Sequence, residues 1–128
     1  MKQIFILIAL TFSASTFAAE FTPEKIEACR AADFDNADFI NECLNNNASV
    51  EKINACAAVG YTEDTYLNQC LAFTRATPDK IKACSDAGFL DQENLNECLS
   101  TNAELFKISA CGSLGLKEKD IILCMKRI

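Results

Sequence analysis

The chain has 128 residues, eight cysteines, no histidine and a formal net charge of −6. An acidic chain is a poor ligand for nucleic acid or for an anionic membrane surface, because both attract clustered cations. The absence of histidine excludes the usual catalytic triads and removes the commonest metal ligand. The remaining length fits one domain of about 110 residues after removal of an N-terminal leader.

The first 18 residues have the pattern of a secretory signal peptide. Lys2 supplies the positive start, residues 4–10 are apolar, and the residues before the cut after Ala18 follow the small-x-small rule. Cleavage after Ala19 is the second choice. The apolar run is too short to cross a bilayer, so no membrane span is predicted in the mature chain, 19–128. We expect this chain in the periplasm or outside the cell.

Four similar units follow, over 22–48, 49–76, 77–103 and 104–128. Each contains the pattern Lys-Ile-x-Ala-Cys and then a second cysteine 13 or 14 residues later. The eight cysteines are Cys29, Cys43, Cys56, Cys70, Cys84, Cys98, Cys111 and Cys124. Self-similarity at a fixed period is the signature of a repeat protein. The sequence therefore predicts a single repeat domain.

The first helix of each unit has sequence signals for both its N-terminus and its C-terminus. A hydroxyl side chain stands at the predicted N-cap in three units, at Thr22, Ser49 and Thr77. Glu104 stands there in the fourth unit, so Thr101 or Asn102 is expected to cap instead. A glycine followed by a hydrophobic residue ends the helix four residues after the cysteine, at Gly60, Gly88 and Gly115. Asp33 takes that place in the first unit.

The second helix of each unit carries the second cysteine. Apolar residues lie three positions before and one position after it, which is a helical spacing and not the alternation of a strand. Asp35, Thr62 and Asp91 are the expected N-caps. The predicted fold class is thus all-α, with about eight short helices in four antiparallel hairpins, stacked as a small α-solenoid or curled bundle.

An even number of regularly spaced cysteines in an exported chain indicates disulfides. No C-x-x-C pair and no histidine is present, so zinc and haem lack their usual ligands, and neither a metal nor a cofactor is predicted. Pairing within units, 29–43, 56–70, 84–98 and 111–124, uses every thiol. Pairing across units leaves Cys29 and Cys124 unpaired. Spacing does not separate the two schemes, and we favour the first because a free exported thiol is reactive.

A binding surface is the best functional candidate in the sequence. It consists of exposed aromatic residues at turns and connectors with a lysine repeated four residues before each first cysteine: Tyr61, Phe73, Phe89, Lys25, Lys52, Lys80 and Lys107. The structural alternative is that the aromatics close helix ends and that each lysine stem packs while its ammonium group reaches water or a carboxylate such as Glu42 or Glu97. No nucleophile, phosphate loop or acid–base pair stands out.

These features predict a secreted or periplasmic, non-catalytic helical-repeat protein that binds an unknown protein or peptide. A secreted effector or enzyme inhibitor is the alternative. In architecture the chain resembles other secreted helical-repeat proteins with disulfide-bridged units, and a shared architecture does not imply a shared function.

Overall fold

A computed structural model of the chain describes residues 22–127. The predicted signal peptide, 1–18, and the start of the mature chain, 19–21, lie outside these residues. The described part contains eight α-helices and no strand: α1 Pro23–Ala31, α2 Ala37–Asn45, α3 Val50–Ala58, α4 Asp64–Ala72, α5 Pro78–Asp86, α6 Gln92–Ser100, α7 Leu105–Gly112 and α8 Glu118–Lys126.

The helices form two layers. The first helices of the units (α1, α3, α5 and α7) pack side by side in one layer, and the second helices (α2, α4, α6 and α8) do the same in the other. Within residues 22–127, extensive helix–helix contacts join only the two helices of one hairpin or same-layer helices of successive units. The predicted all-α array of four hairpins is confirmed, and its contacts are those of a short solenoid.

Four disulfides join the two layers, one in each hairpin. They pair Cys29 with Cys43, Cys56 with Cys70, Cys84 with Cys98, and Cys111 with Cys124. These are the within-unit pairs favoured above, and no cysteine is free. The sulfurs are core atoms as well as crosslinks, because six of the eight cysteines have no exposed surface. Ile53, Ile81 and Ile108, three residues before a cysteine, are equally buried.

The starts of the first helices agree with the sequence in three units. The hydroxyl groups of Thr22, Ser49 and Thr77 each accept the backbone N–H three residues later, at 3.2 Å. The fourth unit differs from the expectation, because Glu104 is the N-cap and its side chain makes no capping bond. Thr101 does not cap α7; its hydroxyl group donates to the carbonyl oxygen of Cys98 at 2.7 Å, at the end of α6.

The N-caps of the second helices are partly as expected. Asp91 caps α6 by accepting from the backbone N–H of Glu93 at 2.8 Å, which confirms that prediction. In the first two units the N-cap lies one residue later than predicted, at Asn36 and Glu63. In the first unit the side chain of Asn36, and not that of Asp35, accepts a backbone N–H of the helix, that of Asp38 at 2.8 Å, whereas Glu63 makes no side-chain capping bond.

The turns within the hairpins share one backbone conformation. Gly60, Gly88 and Gly115 have φ of 85°, 90° and 71°, and Asp33 has φ of 65°. Aspartate tolerates this left-handed region better than most residues, so the first hairpin turns in the same way without glycine.

We expect Gly112→Ala to destabilise the domain by about 1–2 kcal/mol. A Cβ at this position would lie 2.9 Å from both Cα and Cβ of Ala87, so α7 and the end of α5 would have to move apart. That overpacking outweighs the roughly 0.5–1 kcal/mol that alanine gains over glycine inside a helix. Urea denaturation measures the difference, with Ser109→Ala on the exposed side of α7 as control. An unchanged unfolding midpoint in Gly112→Ala would contradict the close packing.

Candidate functional site

The repeated lysines bond to the fold. The ammonium groups of Lys25, Lys52 and Lys80 donate to the backbone carbonyl oxygens of Asn46, Phe73 and Thr101. Each acceptor is the C-cap of the second helix in the lysine's own unit. A cation is favourable at a helix C-terminus because the unpaired carbonyl groups there carry partial negative charge. The lysine therefore ties the two helices of its hairpin together at the end opposite the turn.

Lys52 and Lys80 are partly withdrawn from water. Burial lowers the pKa of Lys52, and burial with a further contribution from the Arg75 guanidinium lowers that of Lys80. The expected carboxylate partners lie elsewhere. Glu42 accepts from the side-chain amide of Asn68 at 2.5 Å, and Glu97 forms an ion pair with Lys126 at 2.7 Å.

Replacing Lys80 by methionine is expected to destabilise the domain by about 1–2 kcal/mol. The methionine retains an apolar stem but leaves the carbonyl oxygen of Thr101, the C-cap of α6, without the donor that Lys80 supplies. Lys82→Met on the same helix is the matched control, since Lys82 is exposed and its ion pair with Asp86 at 3.0 Å is a surface pair. Chemical denaturation compares the two variants. Equal effects would mean that the Lys80 ammonium group contributes nothing beyond a surface charge.

The predicted aromatic residues lie at two different ends of the hairpins. Tyr61 follows the turn glycine of the second unit and its hydroxyl group donates to Oδ1 of Asn96 in the third unit. Burial raises the pKa of Tyr61, so this group stays a protonated donor. Phe89, at the next turn, is buried, whereas Phe73 is half-buried at the opposite end of the helices.

These positions do not form one continuous groove. Tyr61 and Phe89 belong to the turn end of the array, and Phe73 belongs to the end where the lysines cap the second helices. The four lysines are buried or half-buried. A binding role for this set is a prediction that binding measurements must test.

Successive units are joined by a contact that the sequence reasoning missed. In the second, third and fourth units, one side-chain oxygen of the first residue of the second helix accepts two hydrogen bonds. The donors are two successive backbone N–H groups of the preceding unit. We call this contact the junction fork. Asp64 accepts from Asp35 and Asn36 at 3.0 and 3.1 Å. Gln92 accepts from Thr62 and Glu63 at 2.8 and 3.2 Å. Glu118 accepts from Leu90 and Asp91, both at 3.1 Å. The signal available in the sequence was a side-chain oxygen at the same place in three units.

A second junction contact lies on the second helices. The amide of Asn68 donates to Glu42, and the amide of Asn96 donates to Gln69 at 3.1 Å and to the carbonyl oxygen of Tyr66 at 3.0 Å. In both cases the donor lies two residues before a second cysteine and the side-chain acceptor lies one residue before the second cysteine of the preceding unit. Asn96 is 3% exposed, so its bonds are made out of contact with water.

In the fourth unit, the positions that meet a following unit elsewhere have no following unit in the described part of the chain. The backbone N–H groups of Leu116 and Lys117 correspond to the fork donors of the other units, and no acceptor meets them in residues 22–127. Leu114, Leu116 and Leu123 are 64%, 38% and 52% exposed. We call the surface formed by Leu114, Leu116, Lys117 and Leu123 the open end.

Equivalent positions in the preceding units show that the open end faces outward along the array. Leu114 corresponds to Ala87, which α7 covers at Gly112. Leu116 corresponds to Tyr61, which bonds to the next unit, and Leu123 corresponds to Glu97, which pairs with Lys126. At each of these places a residue of an earlier unit contacts the unit that follows it.

A cleft of about 780 Å³ lies at the connector between α6 and α7, at the end of the hairpins opposite the turns. Phe106, which is 71% exposed, lines it together with Lys107, Lys126 and Met125. Met125 forms an apolar floor, since it is 2% exposed and its sulfur lies 3.6 Å from that of Cys98. The lining combines an aromatic face with cations.

The described structure defines a class, a disulfide-stapled helical-repeat protein, and its disulfides are typical of chains that fold in an oxidising compartment. Between Thr22 and Arg127 no group of side chains could hold a metal ion, and none of the helices is long and apolar enough to cross a membrane. Comparisons with known protein families, curated proteins and solved structures found no match.

Proposed function

We propose that this chain is an exported, non-catalytic interaction module that binds a protein or peptide through its fourth unit, in the periplasm or outside the cell. The observation that carries the proposal is the position of the exposed apolar side chains. Seven large hydrophobic residues are exposed in the described part, and five of them belong to the fourth unit: Leu105, Phe106, Leu114, Leu116 and Leu123. Large apolar side chains exposed on one unit of a soluble protein favour an interaction site on that unit.

One further property supports this assignment. The fourth unit is the only one of the four with more basic than acidic residues, five against three. Apolar contact area surrounded by cations suits an acidic protein partner.

The test uses the oxidised mature chain as bait in an extract of its own cell envelope or surroundings. A captured protein is then purified and its affinity measured by calorimetry for the wild type, for Leu123→Lys and for Leu90→Lys. Leu90 is the matched control because it is 92% exposed but lies in the third unit. We expect Leu123→Lys to weaken binding at least about tenfold, as for a residue at the centre of an interface, and Leu90→Lys to leave it unchanged.

Equal affinities of the two variants would place the binding surface elsewhere and overturn the proposal. Turnover of a small substrate by the purified chain would contradict the non-catalytic assignment. A captured host or competitor enzyme that loses activity on binding would favour the alternative function, a secreted effector or enzyme inhibitor, over the interaction module.

A further inference from the structure

We propose that the open end binds an acidic helix start on a different protein, whose first-turn Asp, Glu or Gln side chain accepts the backbone N–H groups of Leu116 and Lys117. This inference rests on the proposed function and adds the chemistry and geometry of the partner. The bound partner would continue the array in the place of a fifth unit, with its own helix beside α8.

The geometry of the binding group is already present three times in the chain. In each junction fork one oxygen lies 2.8–3.2 Å from two successive backbone nitrogens. The acceptor is an aspartate, a glutamine or a glutamate, so the contact requires an oxygen at that place and not one residue type. The donors are the N-cap of a second helix and the residue before it, which in the fourth unit are Lys117 and Leu116.

The apolar part of the open end defines the rest of the partner surface. Leu114 and Leu116 lie at positions whose equivalents Ala87 and Phe89 are only 9% and 8% exposed, because the fourth unit covers them. Leu123 is apolar where the other units carry a glutamate or glutamine that bonds across the junction. A partner that covers these leucines must present apolar side chains beside its acceptor oxygen.

Charge indicates an acidic partner. Lys117 and Lys119 are exposed next to the unoccupied fork; of the two carboxylates in the same turn, Glu118 is engaged with the third unit and Asp120 is exposed. A carboxylate placed in the fork would therefore meet two donors and two nearby cations. Charge-assisted hydrogen bonds of this kind are shorter and stronger than those between neutral groups.

The first unit of the same chain lacks both the acceptor oxygen and the small residue that the open end requires. A second copy stacked head to tail on the open end is therefore excluded. The fork position of the first unit is Ala37, which has no side-chain oxygen. Arg30 occupies the place that corresponds to Gly112, where even a Cβ would lie 2.9 Å from the preceding unit. Head-to-tail stacking would bury the Arg30 side chain against Leu114 and leave the fork empty.

A surrogate partner made from this chain tests the inference. The triple variant Arg30→Ala/Ala37→Asp/Leu123→Lys restores a small residue and a fork acceptor at its first unit and blocks its own open end. Its matched control is Arg30→Ala/Leu123→Lys, which lacks only the acceptor. A second surrogate carries Arg30→Ser, the residue type of Ser85, in case the first fails to fold. Circular dichroism and the absence of free thiols establish that each variant is folded.

The measurement is NMR of ¹⁵N-labelled wild-type protein titrated with unlabelled surrogate. We expect the amide signals of Leu116 and Lys117 to shift and their hydrogen exchange to slow. The control surrogate should bind at least about tenfold more weakly, as expected for loss of hydrogen bonds to a charged acceptor. Added salt should weaken binding of the acceptor surrogate.

Three outcomes would overturn the inference. Equal binding of surrogate and control would show that the fork contributes nothing, and no binding by either folded surrogate would show that the open end does not accept a helix start. Shifts of the same amides in wild-type protein alone, with the mass of a dimer, would make a second copy the occupant. If the surrogate fails while Leu123→Lys still abolishes capture of a natural partner, the proposed function stands and only this partner chemistry is wrong.

Discussion

Reduction of the four disulfides is expected to abolish the cooperative unfolding transition of this domain. Each disulfide closes a loop of 13 or 14 residues between the two helices of one hairpin. In the chain-entropy model a loop of this length contributes about 3 kcal/mol, so four separate loops contribute roughly 12 kcal/mol. That is similar to the whole stability of a small domain, about 5–15 kcal/mol.

The helices do not replace this contribution when the crosslinks are cut. Each helix has eight or nine residues, and isolated helices shorter than about 12–15 residues are marginal in water. Circular dichroism of the oxidised and reduced chain, followed during heating, measures the effect. Cys84→Ala/Cys98→Ala should lower the melting temperature strongly, and Lys82→Ala should not. A reduced chain that melts at the temperature of the oxidised one would refute the argument.

Replacing Asn96 by alanine is expected to destabilise the domain by about 2–4 kcal/mol. Its side chain accepts from the Tyr61 hydroxyl group and donates to Gln69 and to the carbonyl oxygen of Tyr66. Asn96 is 3% exposed, so alanine leaves these partners without a bond in a site that water does not easily enter.

Asn41→Ala is the matched control for Asn96→Ala. Asn41 lies at the same position of the first unit, two residues before the second cysteine, and its side chain is exposed. Alanine there loses no junction contact and gains helix propensity, so stability should stay within about 0.5 kcal/mol of the wild type. Urea denaturation of both variants provides the comparison. Similar losses at the two positions would show that helix composition, and not the junction, determines the effect of Asn96→Ala.

The elements of the fold that depend on local chemistry were predictable from the sequence. The N-caps at Thr22, Ser49 and Thr77 and the left-handed turns at the glycines require only residues within one helix or turn. The helical hairpins follow because each unit repeats these signals in the same order.

The contacts between units were not predictable in the same way. Gln92 bonds to backbone N–H groups about 30 residues earlier. Nearly every residue has a backbone N–H group, so the sequence does not show which of them takes part in such a bond. The acceptors of the lysines are also backbone atoms, each 21 residues away, so their role as C-caps could not be distinguished from a ligand-binding ladder. The open end became visible only when equivalent positions could be compared for exposure.

The junction fork also determines how freely the loops can change in sequence. Because its donors are backbone N–H groups, the side chains of Asp35 and Leu90 take no part in the bond, and these two positions tolerate most replacements that keep the backbone conformation. Thr62 differs, because its hydroxyl oxygen also accepts from the side-chain amide of Gln92 at 2.9 Å. Proline is the exception, since it has no N–H to donate. Variation among related chains should therefore be wide at Asp35 and Leu90 and narrow at Asp64, Gln92 and Glu118, where an oxygen-bearing side chain must reach back.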